Sequence, residues 1–481
     1  MARDDLLQTR RWRVLALLGT AFFMTVLDGT SLLAALPTIE RELRLPRPAV
    51  QWAVTAYALA FSGPLLLCGR AADLLGRRRM FLTGMVLRVL ASLLCGFAPS
   101  AEVLVAARAL QGISAAIIAP AALSMVMNAF TEGSERNKAL GVWGGLGGFG
   151  ATAGLLLGGL VTETFGWHWV FWVNIPVGIG VLVLAPGLLR ESSAPAPARS
   201  FDLAGALSIT VALVLLVYEI TEIPKTGWPS GRTVALLLAV MALTGLFVMA
   251  EKRSAAPLVP FRVLRSRKVV GGNLLILVAG MAVDGMLITL TSYTQQVLGW
   301  SAMRFALVSA LMTVAAVVGA LVSQRGVTRL GLRRVAAGGT VLLGSACLPL
   351  TRISADGSAG LLAACLLIFG AGMGTAAVCS QIAALTGVTE RDSGLAAGLI
   401  DTSFAVGTAL GVAICSSVAA AGTTGEDPQT SALIAGQQAA FTTVSTCAAL
   451  GLVIALTLLG RRSHSTCAEQ GSSPASPPVQ S

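Results

Sequence analysis

Residues 14–36 read VLALLGTAFFMTVLDGTSLLAAL, a run of apolar and small residues broken by one charge, Asp28. A helix needs about 20 such residues to cross about 30 Å of hydrocarbon, so this run can span a bilayer. Asp28 lies 15 residues after Arg13 and 12 before Glu40, too deep for its short side chain to reach either interface. Stranding an ionised group there is costly, and such groups normally face a bundle interior and mark an ion or substrate path. Its helical neighbours Ala21, Met24, Thr25, Ser31, Leu32 and Ala35 form a small, partly polar stripe suited to a cavity wall.

Similar windows recur along nearly the whole chain. The expected spans are 14–36, 50–69, 80–98, 102–127, 139–161, 169–189, 202–220, 232–250, 269–291, 304–323, 335–351, 359–385, 393–420 and 437–460. With 55% apolar residues, 12% charged and a mean hydropathy of +0.79, the 481 residues leave no surface for a water-soluble domain. The fold class is therefore an all-α membrane protein.

An even number of spans puts both termini on one side. That side carries 25 of the 34 Lys and Arg residues, the opposite side 7, and Arg88 and Arg108 lie within the membrane. Basic loops stay inside, so both termini are expected in the cytoplasm of a multi-pass protein of the cell membrane. This topology accounts for the net charge of +11 without nucleic-acid binding. Arg10 and Arg11 precede a run that is long enough to span and has no small-residue cleavage site after it, which reads as an uncleaved first helix. Seven of the eight cysteines fall within spans, without metal-ligand spacing, and read as apolar filler.

The Pro-, Ala- and Ser-rich segment RESSAPAPARS (190–200) divides the chain. The expected organisation is a cytoplasmic N-terminus (1–13), a six-helix bundle (14–189), a linker (190–201), two inserted helices with a loop (202–268), a second six-helix bundle (269–460) and a polar, disordered tail (461–481). A faint internal repeat supports two pseudo-symmetric bundles. GRAADLLGRRR after span 2 pairs with SQRGVTRLGLRR after span 10 at an offset of 255, aligning Gly76 with Gly331, and Asp28 meets Asp284 at 256. Two related bundles with a site between them near the midplane is a common design for secondary transporters.

Four further intramembrane charges stand out. Arg108 in span 4 shares a helical face with Gln111 and Gly112 and can hold a carboxylate or orient a proton relay through its fork of donors. Arg88 in span 3 reads equally as a partner for one of the aspartates. Asp284 has Gly280, Met281, Leu277, Leu287, Ile288 and Thr291 around it, an adaptable apolar surface on which an anionic group suits a lipophilic cation. Asp401 lies nearer one face. For Asp28 the residues alone admit proton coupling, cation binding or a structural hydrogen bond.

The loop from Gly69 to Arg79 reads mechanically. Its glycines let helix ends approach, Asp73 can accept bonds from a helix N-terminus or an arginine, and Arg77, Arg78 and Arg79 can clasp the opposite bundle besides fixing topology. Glycines crowd span 5, with small-residue steps at Gly150, Gly154 and Gly158 that favour close helix packing. Trp167, Trp169 and Trp172 are expected in an aromatic belt at the membrane edge.

Several of these stretches are shared with known proteins. They are Gly69-x-x-x-Asp73-x-x-Gly76-Arg77-Arg78-Arg79, Arg108-x-x-Gln111-Gly112, Leu27-Asp28-x-Thr30 with Ala35-Leu36-Pro37, Gly166-Trp167-x-Trp169 with Asn174-x-Pro176-x-Gly178, and Asp202-x-x-Gly205. Over about residues 1–460 they resemble the major facilitator superfamily, and within it the 14-span drug:proton antiporters. The resemblance departs at span 5, which lacks the Gly-Pro usual there, at Leu33, where asparagine is common, and at Asp401, where the subgroup usually has asparagine.

The resemblance implies proton-coupled efflux of antibiotics or lipophilic and cationic drugs by alternating access, conferring resistance. It implies proton coupling at Asp28 and Arg108, a conformational switch in the loop of Gly69, Asp73, Gly76, Arg77, Arg78 and Arg79, and no cofactor beyond the proton gradient. Candidates for the substrate cavity are Asp284, Asp401, Arg88, Gln111, Met24 and Met281. The expected partners are a small-molecule drug, protons and the bilayer, with the protein acting as a monomer. The alternative is a proton-coupled importer or facilitator of a small metabolite on the same fold, although the expected lining is poorer in Asn, Gln and aromatic groups than a polar nutrient needs. An enzyme is not expected, because His168 and His464 are far apart in the chain and no catalytic cluster occurs. The absence of a G-x-x-x-x-G-K-[ST] run excludes an ATP-driven pump of the P-loop kind.

Overall fold

Each expected apolar run is helical in the computed structural model, which describes residues 2–43, 47–189, 191, 203–227, 230–254, 258–259, 261–355, 357–421 and 429–459. The helices in chain order are α1 (Ala2–Glu42), α2 (Arg47–Ser62), α3 (Leu65–Leu75), α4 (Arg77–Gly96), α5 (Ala101–Ala129), α6 (Ser134–Phe165), α7 (His168–Trp172), α8 (Asn174–Leu188), α9 (Leu203–Thr226), α10 (Gly231–Arg253), α11 (Phe261–Leu264), α12 (Arg267–Ser292), α13 (Ala302–Leu330), α14 (Leu332–Cys347), α15 (Ala359–Leu385), α16 (Ser393–Ala421) and α17 (Gln429–Leu458). Thirteen stretches are long and apolar enough to cross a bilayer, and the bent pair of α2 and α3 makes a fourteenth. The linker 190–201, apart from Glu191, and the tail 461–481 lie outside the described residues.

Span 2 differs from the expectation that it ends at residue 69. The helix breaks at Gly63 and Pro64, turns by 46° and continues to Leu75. Proline has no N–H to give and its ring crowds the preceding turn, so the ladder restarts after it. The restart carries Gly69 and Asp73 into the membrane-end packing. Span 5, lacking the internal proline of similar proteins, is one unbroken helix, α6.

The two bundles, α1–α8 and α12–α17, use the same pairings. In the first, α1 packs on α6, and α5 packs on both α2 and α4; in the second, α12 packs on α16, and α15 on both α13 and α14. Across the molecule α3 meets α16 and α13 meets α6, two seams related by the same exchange. The repeat aligned at Gly76 and Gly331 is realised in backbone shape. Both glycines have positive φ, 104° and 86°, and each ends one helix and starts the next, a conformation strained for any side chain.

Among the described residues, the apolar core shared by the two bundles lies toward one end. Around the end that holds the basic loops, one apolar cluster unites Leu18, Phe81, Val126 and Trp143 of the first bundle with Ile276, Ala384, Ala396 and Ile400 of the second. At the far end the cores stay separate: Leu32, Cys95, Leu104 and Trp167 cluster within the first bundle, and Met286, Tyr293, Phe369 and Phe441 within the second. The inserted hairpin of α9 and α10 lies along the α3–α16 seam, where Ile209 and Leu213 pack with Leu66 of one bundle and Leu395 of the other.

Candidate functional site: a buried carboxylate held by two arginines

Asp28 sits inside the first bundle with four side chains aimed at it. Its Oδ2 accepts from Arg108 Nη1 at 2.8 Å and pairs with Arg88 Nη2 at 3.0 Å. Its Oδ1 accepts from Asn174 Nδ2 at 2.9 Å and from Gln111 Nε2 at 3.4 Å. Helix periodicity explains the convergence. On α5, Arg108 and Gln111 are one turn apart, so Arg108 Nη1 also reaches Gln111 Oε1 at 2.7 Å. On α4, Arg88 and Ser92 are likewise one turn apart, and Ser92 Oγ accepts from Gln111 Nε2 at 3.0 Å. Asn174 is the first residue of α8.

The cluster is sealed. Asp28, Arg88, Arg108 and Gln111 are all at 0% exposure. Arg108 Nε donates to the Ala53 carbonyl at 3.3 Å and its guanidinium lies 4.3 Å over the Tyr57 ring. Arg88 Nη2 also reaches the Met24 carbonyl at 3.4 Å, while Arg88 Nε and Nη1 make no hydrogen bond among the described residues. One carboxylate against two guanidinium groups leaves this core with a formal excess of one positive charge. Losing Asp28 would leave both guanidinium groups uncompensated, and an unpaired buried charge of this kind costs about 3–5 kcal/mol.

The structure corrects three expectations here. The stripe of Ala21, Met24, Thr25, Ser31, Leu32 and Ala35 is not a cavity wall but bundle core, since Asp28 turns inward to its arginines. Met24 packs beside Gly178 of α8 and, with Arg88 and Gln111, leaves the cavity list for the sealed core. The stripe of α1 that remains partly open is Phe22, Val26, Gly29 and Leu33. Trp167 is also buried, donating from Nε1 to Glu42 Oε2 at 2.9 Å, whereas Trp169 keeps the exposed position expected of a belt residue.

The Gly69–Arg79 segment closes the basic end across the bundles. Asp73 Oδ1 accepts from the Gly394 N–H at 2.9 Å and Oδ2 from the Leu395 N–H at 3.0 Å, so its carboxylate caps the N-terminus of α16. Arg77 Nη2 donates to Asp73 at 3.0 Å and also to the Glu390 carbonyl, and Arg77 Nη1 lies 3.7 Å from the Glu390 carboxylate. Arg70 pairs with Asp392 at 3.5 Å, and the hydroxyls of Ser124 and Ser393 are 2.7 Å apart. Gly69 makes this approach possible, since a Cβ there would collide with the Gly394 carbonyl. Arg78 and Arg79 do not cross over. Arg78 donates to the Pro186 carbonyl and Arg79 pairs with Glu191, both on the side of the first bundle.

The second bundle carries the remaining acids without arginines. Asp284 lies on the partly open stripe of α12 and is within hydrogen-bond range of Thr408 on α16. Asp401, two turns before Thr408, has an Oδ2 buried without a hydrogen-bond partner among the described residues. Away from the helix ends, the described spans α12–α17 hold no other Asp, Glu, Lys, Arg or His.

Three residues escaped the sequence reading as site members. Asn174 stood only within a motif, although a lone asparagine in an apolar run is itself a signal. Tyr57, one of three tyrosines in the chain, lay unremarked in span 2. Glu219, near the end of span 7, went unremarked, yet it is fully buried with neither carboxyl oxygen bonded among the described residues.

Comparison with known proteins places this architecture. The sequence profile described as Major Facilitator Superfamily matches residues 18–412. The chain is 36% identical over 418 residues to a puromycin resistance protein of Streptomyces alboniger, covering 86% of this chain and 83% of that protein. It is 35% identical over 421 residues to a cephamycin export protein of Amycolatopsis lactamdurans, covering 85% of each. A tetracenomycin C resistance and export protein of Streptomyces glaucescens is 30% identical over 409 residues, covering 85% of this chain and 76% of that protein. Among solved structures, the human organic anion transporter MFSD10 superposes with a TM-score of 0.66 at 18% identity, over 92% of this chain and 99% of that one, a likeness of fold alone. With a profile that spans most of the chain, two pseudo-symmetric bundles and relatives above 30% identity, the chain belongs to the Major Facilitator Superfamily.

Proposed function

We propose that the protein exports antibiotic-class small molecules, lipophilic or cationic, across the cell membrane in exchange for protons, and thereby confers resistance. The observation that carries this reading is Asp28, a carboxylate held between Arg88 and Arg108 inside a membrane bundle, in a chain whose relatives are named for antibiotic resistance and export. A proton arriving on Asp28 cancels its attraction for both arginines, so protonation and rearrangement of the first bundle are linked.

The basic end faces the cytoplasm in this reading, following the bias of Lys and Arg, and both termini lie there. The bundles are joined at that end and apart at the far end, which suits a state closed to the cytoplasm and open outward. The Asp73–Arg77–α16 clasp holds that state and must release for the opposite one. Substrate meets the partly open stripe of α12 and α16, with Asp284, Asp401 and Met281 as its contacts. The proton gradient is the energy source, with no cofactor, and one chain contains the complete path.

Expression in a drug-sensitive host, with minimum inhibitory concentrations measured across an antibiotic panel, tests this. Resistance to at least one compound is expected, lost in Asp28→Asn and Arg108→Ala while both variants still insert. No shift for any compound in a host that inserts the wild-type chain would refute export of antibiotics.

A further inference from the structure

The cluster around Asp28 has one side that is not bundle core. Asp28, Arg88, Arg108, Gln111 and Ser92 are fully enclosed, whereas Tyr57, whose ring covers the Arg108 guanidinium at 4.3 Å, is only partly buried. The Tyr57 hydroxyl lies beside the Arg88 guanidinium. That puts the hydroxyl within hydrogen-bond range of Arg88, while the other contacts of Tyr57 are longer. Its hydroxyl reaches the Thr25 carbonyl only at 3.5 Å, and the ring stacks loosely on Phe61 with centroids 6.2 Å apart. Its edge faces Gly29, where even an added methyl group would come no nearer than 3.8 Å.

Both flanks of Tyr57 look toward the second bundle. Phe61 and Ala405 of α16 pack against the same small cluster of Leu65, Cys68 and Ala116. Phe22, two turns before Gly29 on the same stripe of α1, packs in the cluster that holds Ile276 and Ile400. Tyr57 is one turn from Phe61 toward the far end, and Thr408, the neighbour of Asp284, is one turn from Ala405 in the same direction. The outer surface of the ring therefore meets the space between the bundles at the depth of Asp284.

We propose that Tyr57 is the shutter of the proton site: a proton passes between Asp28 and water in the inter-bundle space only when the ring leaves Arg108. This rests on the reading of Asp28 as the coupling acid. A ring over a desolvated guanidinium is held firmly enough to stay shut and weakly enough to open. A substrate cation beside Asp284 offers the ring a competing partner, so drug arrival and proton exchange meet in one side chain. Tyr57 acts through its neighbours and is a positioning residue.

The test uses the full chain in proteoliposomes with an imposed pH gradient, an internal pH-sensitive dye and no drug. Tyr57→Leu, which fills the space without an aromatic face, is expected to raise the proton leak by up to about thirtyfold, the equilibrium equivalent of one desolvated cation–π contact. Tyr57→Phe, which keeps the ring, is expected to restore the seal, and Asp28→Asn added to Tyr57→Leu to abolish the leak. Tyr57→Met serves the same comparison if the leucine variant does not fold. A leak no faster than wild type in the folded variant, or one that survives Asp28→Asn, overturns the shutter. If Asp28→Asn alone leaves pH-driven drug efflux intact, the coupling assignment itself fails, a result distinct from any leak in the Tyr57 variants.

Discussion

At the scale of residues, the Asp28 cluster divides its work unevenly, and substitutions should show it. Asn174 gives one hydrogen bond to a buried carboxylate, at 2.9 Å, and such a bond is worth about 1.5–3 kcal/mol. Asn174→Ala is therefore expected to lower the thermal unfolding midpoint of the detergent-purified protein, and an unchanged midpoint would show that the bond carries no stability. The two arginines differ more. Arg108 serves Asp28, Gln111 and the Ala53 carbonyl at once, whereas Arg88 leaves two nitrogens unbonded among the described residues. Arg108→Met should abolish resistance, and Arg88→Met should retain part of it, because Arg108 alone still balances the carboxylate. Equal loss in both, at equal expression, would contradict that ranking.

At the scale of elements, the contact that matters most is the crossing of α3 and α16, where Gly69 and Gly394 put two backbones together and Asp73 caps the partner helix. In a cysteine-free background, Ser124→Cys with Ser393→Cys should cross-link readily, since the native hydroxyls are 2.7 Å apart. Adding Gly69→Val drives a side chain into the Gly394 carbonyl, and overpacking of this kind costs about 1–3 kcal/mol. The cross-linking rate should fall several-fold, and an unchanged rate would mean that the crossing is not what holds the basic end shut. The glycine steps of α6 have an analogous role: a Cβ at Gly154 or Gly158 would run into the backbone of α1. Small residues are legible from sequence as close packing, but not the partner they pack against.

For the whole molecule, the far end is the open one. Leu33 on α1 and Ile288 on α12 are 44% and 40% exposed, in the halves of those helices away from the basic loops. Leu33→Cys and Ile288→Cys should react with a membrane-impermeant maleimide added outside intact cells, and transported drug should slow the reaction. Failure of both to react would show that the resting protein is not open outward. The inserted hairpin α9–α10 touches both bundles along one seam, whereas no described helix covers the α6–α13 seam in the same way.

The linear chain was enough to locate fourteen spans, to find five charges within them, to align Gly76 with Gly331 and to mark Asp73 as an acceptor for a helix N-terminus or an arginine. These follow from period, length and the cost of charge in hydrocarbon, all local properties. Which groups meet is another matter: that Asp28 takes both arginines and Asn174 while Asp284 and Asp401 face none, that Arg77 crosses the bundles while Arg78 and Arg79 stay home, and that Tyr57 lies over Arg108. Those pairings depend on the rotation of each helix about its axis, and rotation is decided by neighbours tens to hundreds of residues away in the chain.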